Sequence, residues 1–168
     1  MHIILFDLGQ TLENNDELLP GAKDTLSSIK ELHDSNGNHP ILSLISNWDK
    51  FHEGFRLIDV KPVQIECYQL IEKLGISQFF QPYYKYITLS TEVGVRKPDK
   101  KIFRFAIDSI EKDLPFENVL FITEDPIHIN AARQLNMRAI HYKGPGQNTG
   151  EVNNLLDLIP LVQSFLNE

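Results

Sequence analysis

Three short apolar runs end in residues that could do chemistry. Asp7 follows residues 3–6, Ser46 and Asn47 follow residues 41–45, and Thr123, Glu124 and Asp125 follow residues 119–122. Carboxylates, hydroxyls and a carboxamide gathered on one rim could bind and polarise a small polar ligand. In open α/β sheets ligands bind on such a rim, beyond the carboxyl ends of the strands and where strand order reverses. Taken singly, each residue is also an ordinary way to end a strand, since Asp, Ser and Asn are common turn residues. The weight lies in three strands delivering polar groups together.

The elements that must position these residues are legible as periodicity. Four runs rich in Ile, Val, Leu or Phe, at 3–6, 41–45, 119–122 and 137–142, read as buried strands. Helical spacing appears at Ala22, Leu26, Ile29 and Leu32 behind Pro20, and at Ile102, Phe105, Ala106 and Ile110 behind Pro98 and Asp99. Two more helices are expected over 127–135 and over 152–166, the last with a break at Pro160. The stretch 48–86 is less regular. It suggests a helix over 64–74 closed by Gly75 and a short strand over 84–89, and 144–150 reads as a plain connector. Strands alternating with helices imply an α/β class, a doubly wound, Rossmann-like parallel sheet with helices on both faces.

Length and composition narrow the function. At 168 residues the chain suits one domain spanning 1–168. Sixteen Lys and Arg against twenty-three Asp and Glu give a net charge of −7, which works against phosphate-backbone binding, so nucleic acid is not an expected partner. The apolar run at the N-terminus is broken at Asp7, and no later segment approaches the roughly 20 apolar residues of a membrane span. A lone Cys67 cannot pair within the chain and suits a reducing compartment, so a cytoplasmic location is expected, with no export or membrane insertion.

Read together, four stretches resemble the haloacid dehalogenase-like (HAD) hydrolases. They are Asp7-Leu8-Gly9-Gln10-Thr11-Leu12 after an apolar strand, Ser46-Asn47 after the next, Gly94-Val95-Arg96-Lys97-Pro98-Asp99 before a helix, and Phe121-Ile122-Thr123-Glu124-Asp125 leading to Ala131-Ala132-Arg133. They occur in the family's order and cover nearly the whole chain. Arg96-Lys97-Pro98-Asp99 with Ile102-Phe103, and Leu135 to Ala139, look most like the branch containing the phosphatase domain of soluble epoxide hydrolase and bacterial sugar-phosphate phosphatases.

The resemblance implies a phosphohydrolase acting on a phosphomonoester, either a small molecule or a phosphoprotein, through an aspartyl-phosphate formed on Asp7. Attack by a carboxylate on a phosphate sets anion against anion, about 4 kcal/mol for two unit charges 4 Å apart at an effective dielectric near 20. Mg²⁺ held by Asp7, the backbone carbonyl of Gly9 and Glu124 would offset this, with Lys97 supplying the remaining positive charge. Ser46 and Asn47 would donate hydrogen bonds to the transferring group.

Two positions depart from the family's pattern. Most phosphatases of the family carry a second Asp two positions after the nucleophile, as general acid and base; here Gly9 stands there. Such a group is worth about 10²–10⁴ in rate, or roughly 3–5 kcal/mol. Glu13, Asp16 and His52 are polar residues that could replace it, and no spacing singles one out. Relatives also carry two consecutive Asp where this chain has Thr123 and Glu124, with Asp125 as a possible substitute ligand and His128 where Asn or Asp is common. The extra methylene of Glu124 moves its carboxylate by about 1.5 Å.

These departures motivate an alternative, a catalytically degenerate relative that binds a phosphorylated ligand or a protein partner. A weaker third possibility is carbon–halogen or carbon–phosphorus cleavage, whose family members also lack the second Asp. Asp7 and Ser46 lie 39 positions apart, which leaves no room there for a large cap domain. A modest insert over 48–63, with Trp48, Phe51, Phe55 and Arg56, could line the mouth of the site.

Overall fold

The computed structural model describes residues 1–48 and 61–168. Strands β1 (Ile3–Phe6), β4 (Ile41–Ser46), β5 (Ile87–Leu89), β6 (Val119–Thr123) and β7 (Arg138–His141) form one sheet in the order β5-β4-β1-β6-β7. All four pairings are parallel. A two-stranded antiparallel hairpin, β2 (Glu13–Asn14) and β3 (Glu17–Leu18), stands apart just after β1.

β1 lies at the centre, and all four of its residues are fully buried. Because successive side chains of a strand point to opposite faces, both faces must be covered by helices. Ile4 and Phe6 pack in one core with Leu26 and Ile29 of α1 (Ala22–Glu31), Cys67 and Ile71 of α2 (Lys61–Lys73), and Val162 and Phe165 near the C-terminus. Ile3 and Leu5 pack on the opposite side with Phe103 and Ile107 of α5 (Lys100–Asp108) and with Ile129 and Ala132 of α6 (Pro126–Gln134). This is the doubly wound α/β arrangement that the alternating pattern predicts.

Local chemistry starts the helices that flank the rim. Asp99 caps α5 by accepting from the amide of Lys101, and Asp125 caps α6 by accepting from Ile127, with Pro126 at a position where no amide hydrogen is needed. β4 and β6 each run one residue beyond the apolar stretch, so Ser46 and Thr123 are the last residues of their strands.

Elsewhere the structure departs from the periodicity. Residues 84–89 do not form one strand: α3 (Tyr83–Tyr86) makes a single turn behind Pro82, and only Ile87–Leu89 joins the sheet, ahead of the short α4 (Ser90–Val93). Val152 bridges Tyr142, and the last helix, α7 (Leu158–Leu166), starts later than expected. Pro160 falls in its first turn, where amides lack intrahelical partners, and therefore does not break it.

Between β1 and β4 lie only the β2–β3 hairpin and α1, so no large cap separates them. Among the described residues no helix is long and apolar enough to cross a membrane. The expected insert over 48–63 falls mostly outside the described residues, together with Phe51, His52, Phe55 and Arg56.

Candidate active site

Strand order reverses at β1, whose neighbours β4 and β6 lead to the two halves of the sheet. Asp7 stands one residue past β1, and its amide donates to Ile122 O at 2.9 Å, fixing it between the ends of β1 and β6. Ser46 closes β4 and is buried. Lys97 arrives from the segment between α4 and α5. Gly94 opens that segment at φ 78°, a left-handed conformation that suits glycine at a helix end.

Asn47 clamps the backbone of Lys97 from both sides. Its Oδ1 accepts from Lys97 N at 2.7 Å and its Nδ2 donates to Lys97 O at 3.1 Å. The carboxamide expected to face the transferring group is thus engaged in placing the lysine. Lys97 Nζ donates to Ile45 O at 3.0 Å and pairs with Asp7 Oδ1 at 2.5 Å, while Leu8 N also donates to Oδ1 at 2.9 Å. Thr123 Oγ1 donates to the other oxygen, Oδ2, at 2.9 Å. Burial pushes the Asp7 carboxyl up, but the Lys97 charge, the nearby His128 ring and the hydrogen bonds from Lys97 and Thr123 outweigh it and hold the group below the usual carboxylate range.

Glu124 sits on the far side of Thr123. Its Oε2 accepts from Thr11 Oγ1 at 2.7 Å and lies 3.3 Å from Thr123 Oγ1, and Thr11 Oγ1 in turn accepts from Glu124 N at 3.2 Å. Burial first, and then the negative charge of Asp7, push Glu124 above the usual range, against the hydrogen bond from Thr11. Two carboxylates therefore flank one hydroxyl, one held ionised and the other reluctant to ionise.

Three further residues frame the site. His128 Nδ1 lies 3.7 Å from Asp7 Oδ2, buried and without a hydrogen-bond partner, and Nε2 lies 3.6 Å from Asp125 Oδ2. His141 Nε2 lies 3.0 Å from the carbonyl of Glu124. Gly144 packs so closely that a Cβ there would lie 2.8 Å from Gln10 O and 2.9 Å from Glu124 Cβ, so the loop whose composition suggests a plain connector is a wall of this site. A glycine in a polar loop was the only hint of it in the sequence. Asp125 Oδ1 is engaged in capping α6.

No family model matches the chain. An uncharacterized protein of Saccharomyces cerevisiae is 32% identical over 89 residues, 52% of this chain and 24% of that protein. The chain thus spans about a quarter of the length of the curated relative it matches. A structure named as a HAD-hydrolase, YfnB from Bacillus subtilis bound to magnesium, aligns with TM-score 0.63 at 17% identity, over 88% of this chain and 57% of that one. The core domain of a protein named as a phosphoglycolate phosphatase, from Streptococcus pneumoniae, aligns with TM-score 0.61 at 15% identity over 97% and 96%. The L-2-haloacid dehalogenase PA0810 aligns with TM-score 0.57 at 18% identity over 88% and 57%.

The chain has the HAD-like fold. The likeness reaches the fold and not a branch within it.

One structure of this fold is bound to magnesium, and the oxygen donors of the present site bear on the same kind of cation. Among the described residues no group of three or more His, Cys, Asp or Glu side chains is arranged to hold a metal. Mg²⁺ is usually held by one or two carboxylates, with waters and substrate phosphate completing its shell. Asp7 and Glu124, both in contact with Thr123 Oγ1, are two such hard oxygen donors, and their charges face each other. That pair fits a divalent cation in a HAD-like site.

Proposed function

We propose that this chain is a HAD-type phosphomonoester hydrolase with Asp7 as the nucleophile. The observation that carries the reading is the buried Asp7–Lys97 pair at the reversal of strand order. A nucleophilic carboxylate must be ionised, and the surroundings of Asp7 keep it so. It must also meet an anionic phosphate, whose approach costs about 4 kcal/mol per pair of unit charges at 4 Å and effective dielectric 20. The Lys97 ammonium offsets that repulsion from within the site, where little water screens it.

Each remaining group has a role in this reading. Ser46 donates its hydroxyl to a phosphoryl oxygen from the end of β4. Asn47 acts through Lys97, holding the ammonium in register. Thr123 orients the attacking carboxylate, and Asp7 becomes the aspartyl-phosphate that water later hydrolyses. Asp7 and Glu124 would hold Mg²⁺, which when bound neutralises phosphoryl charge; the magnesium in the Bacillus subtilis structure supports this choice of cation. The substrate is a small phosphoester or a phosphorylated protein.

Hydrolysis of p-nitrophenyl phosphate with Mg²⁺, followed by release of inorganic phosphate, tests the reading. Asp7→Asn should abolish turnover while circular dichroism shows a folded chain, and activity that survives this change overturns the proposal. Binding of vanadate without any phosphate release would instead indicate a phosphate-binding relative without turnover. Metal-free chloride release from a 2-haloacid would indicate dehalogenation.

A further inference from the structure

The HAD-type reading leaves one step without a residue, because Gly9 occupies the place of the usual acid and base. A Cβ built on Gly9 would lie 3.6 Å from Glu13 Oε1, in ordinary van der Waals contact. An aspartate oxygen extends about 2.4 Å from its own Cβ, from one C–C and one C–O bond. Glu13 Oε1 therefore lies only about 1.2 Å farther from that Cβ than an aspartate's own oxygen would, so the Glu13 carboxylate borders the place where an aspartate side chain at position 9 would start.

The backbone holds it there. Glu13 N donates to Leu8 O at 3.2 Å and Gln10 N donates to Glu13 O at 2.6 Å, which bridges residue 13 to Gly9 itself. The β2–β3 hairpin turns through Asn15 and Asp16, both with positive φ (54° and 60°), the pattern of a tight two-residue turn. Leu8 and Leu12 are buried beneath it. Asp16 N donates to Glu13 Oε2 at 3.0 Å, which fixes the rotamer and leaves Oε1 on the side of Gly9. The rival Asp16 is mostly exposed and paired with Lys73 at 3.4 Å.

We infer that Glu13 is the general acid and base of this enzyme, reaching back along the hairpin to supply the carboxyl missing at position 9. This rests on the phosphatase reading above. In the first step Asp7 forms a bond to phosphorus, the bond from phosphorus to the ester oxygen breaks, and the Glu13 proton passes to that oxygen to release an alcohol. In the second, water attacks phosphorus, Glu13 takes its proton, and the Asp7–phosphorus linkage breaks to give inorganic phosphate.

The test compares two leaving groups in the full chain with Mg²⁺, since nitrophenolate departs without a proton whereas an alkoxide does not. Glu13→Gln should lower kcat/KM for glycerol 2-phosphate by about 10²–10⁴-fold, the usual worth of a positioned acid, and that for p-nitrophenyl phosphate by less than about tenfold. Gly9→Asp placed on Glu13→Gln should restore most of the loss on glycerol 2-phosphate. An unchanged ratio of the two substrates in Glu13→Gln overturns the assignment. So does a wild type that cleaves only the nitrophenyl ester, or a ratio that moves with His128→Asn and not with Glu13→Gln. A wild type that hydrolyses neither ester overturns the phosphatase reading and this inference with it.

Discussion

The ammonium of Lys97 lies 2.5 Å from Oδ1 of Asp7, with 1% and 8% of the two side chains exposed. Two opposite charges so deeply buried depend on each other, because either one alone would be an uncompensated charge in a low dielectric. Removing one partner of such a pair typically costs about 3–5 kcal/mol. Lys97→Met should lower unfolding stability by that order in urea denaturation. Adding Asp7→Asn should recover part of it, since the remaining amide no longer carries a charge. A double variant no more stable than Lys97→Met would show that the two groups are not coupled.

Acid stability should carry the mark of Asp7. Its carboxyl is held below its ordinary value in the folded chain, and an unfolded Asp titrates near about 3.9. The folded state therefore binds fewer protons at that group. The stability gained is fully present above the unfolded value and disappears as pH falls through the lower, folded one. Urea midpoints between about pH 5 and 2 should fall less steeply in Asp7→Asn than in the wild type. Parallel slopes would contradict the assignment.

Thr11 tests the link between the nucleophile loop and Glu124. Its hydroxyl donates to Glu124 Oε2 and accepts from Glu124 N, so Thr11→Val strands two partly buried groups at once. Stranding buried polar groups costs about 1–3 kcal/mol, and each kcal/mol shifts Tm by about 2–4 °C in a chain of this size. The Glu124 carboxyl, already above its ordinary value, should rise further because a hydrogen bond to its charged form is gone. Calorimetry measures the first effect and carbon-detected NMR titration the second.

Cys67 should be chemically silent in the folded chain. It is fully buried on α2, and burial, followed by the charge of Glu66, pushes its thiol up to about 12. Only the thiolate reacts. Labelling by a disulfide reagent at neutral pH should therefore proceed at the rate at which the protein opens, and accelerate with urea. Fast stoichiometric labelling of the native chain would show that α2 exposes this face.

The fold was legible because its rules are local. Residues 3–6 and 119–122 are apolar on every position and 41–45 on all but Ser43, whose hydroxyl donates to Tyr86 O, as suits strands covered on both faces, and Asp99 and Asp125 announce the helices that follow them. Asp7, Ser46 and Thr123 could be placed on one rim for the same reason. The remainder depended on approach across loops. Nothing in the spacing of Glu13 shows that a tight hairpin returns its carboxyl to Gly9, and nothing near Gly144 shows that it packs on Glu124. His128 reaches Asp7 only because α6 begins at the end of β6. Asn47 was in the right place with a different task, since an amide at a strand end can turn to a ligand or to a neighbouring backbone.

That task makes a specific prediction for Asn47. Its two hydrogen bonds go to the backbone of Lys97, so its influence on catalysis should pass through the lysine. Displacing a positioned charge by about 1 Å can cost on the order of 10²-fold in rate. Asn47→Ala should accordingly lower kcat/KM for p-nitrophenyl phosphate by about ten- to a hundredfold in the wild-type background. In the Lys97→Met background, where no ammonium is left to misplace, the same change should cost little. Residues that act through one another give strongly non-additive double-mutant cycles, whereas independent contacts to the phosphoryl group add. An Asn47→Ala penalty of equal size in both backgrounds would mean that the carboxamide meets the substrate directly.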